Sequence, residues 1–282
     1  MDESSREILP AMLQAATDFV GHAYMATVSA AGADLQPRSK PSPPMGRDIA
    51  QRLISVRSSL LFVDLPEHAT MEIASCARVR RFLPDEPLFI QGQPVIALIL
   101  LQSGCVKHTQ VGRTGAEVLM RFSVKGDIVN IHAESPSSYH TCSAHAMEEC
   151  RALLWDYRRI DSFLARYPQL GENISHLLSL QLEELEERFR EMATEKVARR
   201  LSLVLLRLLH QIGVPSERGI RISVNREELA EMTGSTISTV SRLLSEWSEQ
   251  GFVVPRREAV VISHPERLVG RDSHAHVSMG LS

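Results

Sequence analysis

The stretch IRISVNREELAEMTGSTISTVSRLLSEWSEQGFVVPRREAVVI, residues 220–262, decides the fold of the C-terminal part of the chain. Residues 220–224 read as a short apolar strand. Asn225 suits the N-cap of the helix that follows, and Glu228, three residues on, is its reciprocal capping partner. That helix, residues 226–232, is one to two turns long. It stops at Thr233-Gly234-Ser235, where glycine permits a tight turn. A second helix, residues 236–249, places Val240, Leu243, Leu244 and Trp247 at i, i+3, i+4 and i+7, which makes them its buried face. After Gly251, strands at 252–255 and 259–262 flank Arg256-Arg257-Glu258. Strand, helix, glycine turn, helix and basic hairpin, in that order, make a winged helix-turn-helix.

The second helix starts at Thr236 and leaves Ser238, Thr239, Ser241, Arg242 and Ser245 facing outward. Short hydroxyl side chains let a helix backbone come close to a DNA major groove, and an arginine can bond guanine O6 and N7 in bidentate fashion. A basic hairpin tip beside such a helix suits phosphate contact. The DNA-binding set expected from the sequence is therefore Thr236, Ser238, Thr239, Ser241, Arg242, Arg256 and Arg257. Use of the same motif for protein contact is the competing reading, and the basic tip argues against it.

Two helices precede this segment. Residues 195–210 carry Val197, Leu201, Val204, Leu205 and Leu208 at helical spacing and stop before Gly213 and Pro215. Residues 171–194 carry Leu178, Leu182, Leu185, Phe189 and Met192, spaced 4, 3, 4, 3, with Glu183, Glu184, Glu186 and Glu187 beside them. That is about two heptads of an a/d seam. Its burial against a second copy of the chain is the stronger reading, and packing against its own N-terminal domain is the alternative.

Further upstream, short apolar runs alternate with turn residues. They cover residues 79–83, 88–90, 97–101, 105–108, 117–122, 128–131 and 150–155. Gly92, Gly104, Gly115 and Gly126 fall between them at intervals of 11 or 12 residues. Many short antiparallel strands joined by tight turns give this spacing, which predicts a small β-roll. The fold class is α+β: an N-terminal extension at 1–60, a β-roll at 61–168, a dimerisation helix at 169–194, a winged helix-turn-helix at 195–268 and a disordered tail at 269–282. The extension ends in a proline-rich tract at 37–44 and has one candidate short helix within 5–26; Met45 is an alternative start.

Composition narrows the function classes. The formal net charge is -3, so no basic excess of the whole chain points to nucleic acid, and local charge has to carry that reading. No apolar run approaches the ~18 residues of a membrane span, and residues 11–33 are broken by Gln14, Asp18, His22 and Gly32. A cytoplasmic protein without membrane contact is expected. Cys76, Cys105, Cys142 and Cys150 form no C-x-x-C pair. No nucleophile with its base, phosphate loop or metal motif stands out, so no enzyme activity is expected.

From about residue 62 to 268 the chain resembles the CRP/FNR family of bacterial transcription regulators. Arg78-Val79-Arg80-Arg81-Phe82, Ile90-Gln91-Gly92, Gln102-Ser103-Gly104 and Lys125-Gly126-Asp127 carry the resemblance in the roll. Phe163-Leu164-Ala165-Arg166-Tyr167-Pro168 carries it before the dimer helix, and Val197-Ala198-Arg199-Arg200-Leu201 with residues 234–242 carries it in the DNA domain. The resemblance implies a ligand-sensing roll, a dimer on a palindromic operator, and RNA polymerase as a protein partner.

The departures from the family concern the effector. The cyclic-nucleotide branch has a Gly-Glu pair after its Gly-Asp and then an Arg-Ser pair. Here Asn130-Ile131 and His140-Thr141 stand at those positions. A neutral imidazole does not replace a bidentate guanidinium on a phosphate, which argues against cyclic AMP or GMP. The oxygen-sensing branch uses an N-terminal cysteine cluster, and residues 1–75 contain no cysteine, which argues against an iron–sulfur cluster. The carbon-monoxide-sensing branch has a haem-ligating histidine a few residues after Gly-Asp. His132 stands there and is the candidate metal ligand, although Asn130 replaces that branch's cysteine. The candidate effector pocket is thus Asn130, His132, His140 and Thr141, with haem, another small molecule or no effector all open. In the reading helix, Ile237-Ser238 replaces the Arg-Glu of the cyclic-nucleotide branch, so Arg242 is the expected guanine reader and the family's usual half-sites are not implied.

Overall fold

The computed structural model describes residues 45–113, 115–131 and 138–269. Helix α1 (Met45–Ser58), a 3-10 turn (Leu60–Phe62) and helix α2 (Glu67–Cys76) lead into strands β1 (Arg78–Phe82), β2 (Pro87–Phe89), β3 (Ala97–Ser103), β4 (Val106–Val111), β5 (Glu117–Ser123), β6 (Ser143–Ala146) and β7 (Cys150–Asp156). These form two antiparallel sheets, β1-β7-β3 and β2-β6-β4-β5. The fold class is α+β, as expected.

Strand β3 shows how the roll is filled. Its residues alternate between two cores, as the two-residue period of a strand requires. Leu98 and Leu100 join Val56, Phe62, Ile73, Leu153 and Trp155 under the N-terminal helices. Ile99 and Leu101 join Phe82, Phe89, Val106, Val129 and Ala152 inside the roll. Gly104, at φ +94°, closes the β3–β4 turn, and a Cβ there would lie 2.9 Å from the Cys150 Cα. Glycine fits this turn on both counts.

Two expectations for the roll change. Residues 128–131 form only an isolated bridge, Leu100 to Ile128, while Ser143–Ala146 supplies the strand between β2 and β4. The sequence Ser-Ala-His-Ala lacks the bulky apolar alternation that marks a strand. Residues 45–58, expected in a flexible extension, form helix α1, whose Val56 is fully buried and whose Arg52 donates to the Ala77 carbonyl at 2.8 Å. Ile49, Leu53 and Val56 make a short apolar stripe of helical spacing, overlooked beside the proline tract. The candidate helix within 5–26 and the tail at 270–282 lie outside the described residues.

Helix α3 (Tyr157–Arg166) is followed by the 27-residue helix α4 (Pro168–Thr194). Pro168 sits in the first turn of α4, where its missing N–H costs nothing. Asn173 of α4 donates to the carbonyls of Leu61 and Val63, both at 2.9 Å, and so fastens the helix to the N-terminal turn. Helix α5 (Val197–Ile212), β8 (Val214–Ser216), β9 (Gly219–Ile222), α6 (Arg226–Thr233), α7 (Ile237–Glu249), β10 (Val253–Pro255), β11 (Val260–Ile262) and α8 (Glu266–Val269) complete the chain. The last four strands form one antiparallel sheet, β10-β11-β9-β8. Among the described residues, no helix is long and apolar enough to cross a membrane.

Candidate nucleic-acid interface and effector cavity

The turn between α6 and α7 is held by local bonds. Asn225 Oδ1 accepts from Glu228 N at 2.9 Å, and Glu228 Oε2 accepts from Asn225 N at 2.9 Å, a complete capping box. Gly234 ends α6 in the left-handed region, φ 56°. Thr236 caps α7, its hydroxyl accepting from Thr239 N at 3.2 Å. Arg200 of α5 braces the turn from below, donating to Thr233 O at 2.9 Å and Glu195 O at 3.0 Å. Val240, Leu243, Leu244 and Trp247 are buried in one core with Leu201, Leu205, Leu208 and Phe252.

Burial of that face leaves the opposite face of α7 outward. Thr236, Ser238 and Arg242 are exposed, and Thr239 and Ser241 are half-buried. The Arg242 guanidinium pairs with Glu246 on its own helix. Arg256 and Arg257 are exposed at the tip between β10 and β11, where Arg257 pairs with Glu258 at 3.5 Å. The tip is closed by Arg256 N donating to Ala259 O at 2.7 Å.

Helix α4 changes character along its length. Leu170, Ile174 and Leu177 pack into the core under the N-terminal helices. Further on, Leu182, Leu185, Phe189 and Met192 are exposed, Phe189 by 75%, and Leu178 is half-buried. Glu191, between them, is buried and makes a bidentate ion pair with Arg207 of α5 at 2.6 and 2.8 Å.

A cavity of about 240 Å³ lies between the roll and α4. Asn130 and Thr141 are in its wall. Asn130 is buried and spent on backbone: its Oδ1 accepts from Ile99 N at 3.0 Å and its Nδ2 donates to Ala97 O at 2.8 Å. The carbonyl of exposed Thr141 accepts from Gln110 Nε2 at 3.0 Å. His140 is buried and stacked on Phe89, ring centroids 3.8 Å apart, and is not part of the wall. His132 lies outside the described residues.

Two residues that sequence reasoning missed also line this cavity: Arg121 projects from β5 and Arg188 from α4, beside Glu184 and the seam residue Leu185. A β-bulge explains Arg121. His108 pairs with Arg121 and Thr109 with Leu119, so Met120 has no partner across the ladder. Such an extra residue re-aims its neighbours' side chains. His108, also in the wall, is fully buried, with Nε2 2.8 Å from Ser123 Oγ. Burial, reinforced by the Arg121 charge, holds its imidazole well below the usual range, so it is neutral. Among the described residues, no group of three or more His, Cys, Asp or Glu could hold a metal ion, and the four cysteines are free thiols.

Family models match both halves of this arrangement. Residues 79–167 match a cyclic nucleotide-binding domain, and residues 195–271 match a Crp-like helix-turn-helix domain. The chain belongs to the CRP/FNR family of transcription regulators. Electron transport regulator A of Shewanella oneidensis is 25% identical over 187 residues, covering 64% of this chain and 73% of its own length. The CRP-like cAMP-activated global transcriptional regulator of Mycobacterium tuberculosis is 25% identical over 186 residues, covering 65% of this chain and 83% of its own. FixK2 from Bradyrhizobium japonicum has the same fold, with a TM-score of 0.61 at 18% identity over 71% of this chain and 98% of that one. As in these CRP/FNR relatives, the helix-turn-helix is a DNA-binding domain, and the protein is a regulator rather than an enzyme.

Proposed function

We propose that this CRP/FNR regulator binds a two-fold DNA operator as a homodimer joined along α4, under the control of a small effector held between roll and helix. The exposed seam of α4 carries the reading. Leu182, Leu185, Phe189 and Met192 form an apolar stripe at heptad spacing, which a second copy would bury. Two-fold symmetry then puts the two α7 helices in successive major grooves, about 34 Å apart. Thr236, Ser238, Thr239, Ser241 and Arg242 meet bases and backbone there, and Arg256 and Arg257 meet phosphates. RNA polymerase is the partner that such a complex would engage. Cyclic AMP is not the expected effector, since Asn130 is committed to backbone and His140 to Phe89. For haem, His132 is the candidate ligand.

The test combines sedimentation with gel-shift on a pool of two-fold sequences. The wild type should sediment as a dimer and select a palindrome, while Phe189→Glu should be monomeric and lose at least ten-fold in operator affinity. A Phe189→Glu protein that stays dimeric on the same operator would remove α4 as the joint.

A further inference from the structure

We propose that the cavity between the roll and α4 is an oxyanion site, in which Arg121 and Arg188 together clasp a small carboxylate or phosphate, and that strand β5 passes its filling to the DNA-binding domain. This rests on the reading of the cavity as the effector site and names the class of ligand it takes.

Positively charged side chains outnumber negative ones in the wall of the cavity. Two guanidinium groups from different elements border it, with one carboxylate, Glu184, which pairs with Arg188 at 3.0 Å. Among the described residues, Arg121 makes no ion pair. It donates only to the Val129 carbonyl, at 3.0 Å. Asp127, in a neighbouring cavity that Arg121 also borders, attracts Arg121 without bonding to it and accepts from Val124 N at 2.8 Å. Arg188 donates to the Met120 carbonyl, and its Nε is buried with no hydrogen-bond partner among the described residues. His108 is neutral, and burial raises the Cys142 thiol, so neither supplies a counter-charge. An arginine does not escape burial by losing its proton, and Arg121, which no ion pair holds among the described residues, keeps guanidinium donors on the cavity wall. Burial lowers both arginines, and Arg121 adds to the lowering at Arg188, as two nearby cations do. An entering oxyanion relieves that repulsion and takes charge-assisted bonds from two planar forks.

Shape and wall narrow the ligand. The cavity is below the ~300–1,000 Å³ of drug-sized pockets, so the anion is compact. Phe89, Val129 and Leu185 give it an apolar side, which suits a short organic body behind the charged group.

Strand β5 connects the site to the rest of the protein. It is the outer strand of β2-β6-β4-β5, so one edge of its backbone is free, and the bulge frees Met120 as well. Three consecutive residues are used by three different parts. Leu119 N donates to Glu231 Oε2 of α6, at 3.1 Å. Met120 O accepts from Arg188 of α4. Arg121 faces the cavity. An anion that draws Arg188 toward Arg121 competes with Met120 for it, and the next residue along holds the helix-turn-helix.

The full-length protein is tested by thermal unfolding without DNA, using succinate, inorganic phosphate and cyclic AMP as separate probes. Succinate or phosphate should raise Tm saturably by at least about 3 °C, and whichever does so identifies the carboxylate or the phosphate source. Arg121→Gln and Arg188→Gln should abolish the shift. Unliganded Arg121→Gln should still unfold in one cooperative transition, so that a lost shift reports lost binding rather than lost folding. Glu184→Gln, which removes the competing carboxylate, should bind the same probe several-fold more tightly. No shift with either probe, an equal shift in the arginine variants, or a cyclic AMP shift that survives Arg121→Gln would overturn the site. Anion binding that leaves the gel-shift unchanged would overturn the transmission. Since the probes are read without DNA, an empty result here leaves the dimer and operator experiments to stand or fall separately.

Discussion

The helix-turn-helix and the roll cavity satisfy their polar groups by opposite rules. Around α6 and α7, caps come from residues within three positions: Asn225 with Glu228, and Thr236 with Thr239. Around the cavity, charged groups come from β5 and α4, more than 60 residues apart, and one guanidinium makes no ion pair among the described residues. The first arrangement is a frame that holds its shape before any ligand arrives. The second leaves guanidinium donors at a cavity wall, one of them the buried Arg188 Nε without a hydrogen-bond partner among the described residues, which is where the proposed ligand would act. A regulator needs both: a rigid reader, and a sensor whose energy changes on binding.

The comparison breaks if the two regions share one core. Leu119 and Phe122 of β5 sit in the same apolar cluster as Trp247. Trp247→Ala should cost about 3–5 kcal/mol, as buried tryptophans do. The variant leaves Trp155, buried in the roll, as the sole fluorescent reporter. In urea, circular dichroism should show early loss of the DNA domain while Trp155 emission keeps its wild-type midpoint. If both signals move together, reader and sensor fold as one unit, and the distinction is one of ligand chemistry only.

A second test concerns the hinge between them. Glu191 of α4 is 3% exposed and holds Arg207 of α5 through two bonds. Removing one member of such a pair leaves the other unpaired, at about 3–5 kcal/mol when both are buried. The Arg207 side chain is about a quarter exposed, 26%, so roughly 2–3 kcal/mol is expected for Glu191→Ala, measured by urea unfolding. A loss below 1 kcal/mol would mean that α4 and α5 are joined by apolar packing alone.

The same contrast explains what could be read from the sequence. Caps, the glycine turn and the Val240–Trp247 stripe lie within one window, so α6, α7 and the hairpin follow from local rules. Helix α1 was missed because Ile49, Leu53 and Val56 adjoin a proline tract that dominates the local composition. Strand β8, with Pro215 at its centre, is an edge strand without apolar alternation. Arg121 left no signal at all. Its place in the wall depends on a bulge, and on the approach of a helix that begins about 45 residues later. Asn130 was legible as a distinctive residue, yet its side chain serves the backbone of β3.

At the reader, Arg242→Ala should cost about 1–3 kcal/mol of operator affinity and relax choice at one base pair per half-site, as judged by competition gel-shifts with single-position variants. In the free protein Arg242 is paired with Glu246, so part of the bond to guanine is offset by releasing that exposed pair. Loss of equal size on every sequence would reassign Arg242 to phosphate contact.

The smallest effect is expected where reader and sensor touch. Glu231 accepts from Leu119 N, and desolvation together with Glu117, Glu227 and Glu228 raises its carboxyl above the ordinary value. Lys107 lies nearby but pairs with Glu228, at 3.8 Å. A carboxyl raised on folding favours the folded state below its unfolded pKa, and that advantage is lost as pH rises through the folded value. At pH 7 the ionised Glu231 is thus a modest cost, below about 1 kcal/mol for a half-buried group that solvent still screens. Glu231→Gln keeps an acceptor for Leu119 N without the charge, so it should be at least as stable as the wild type at pH 7. The difference should shrink as pH falls from the raised value toward 4.5. Melting the two proteins side by side across that range reads the effect, with exchange of the Leu119 amide as a local check. A variant less stable than the wild type at pH 7 would show that the carboxylate charge strengthens the contact, and the link between sensor and reader would then be an anchor rather than a joint held under slight electrostatic tension.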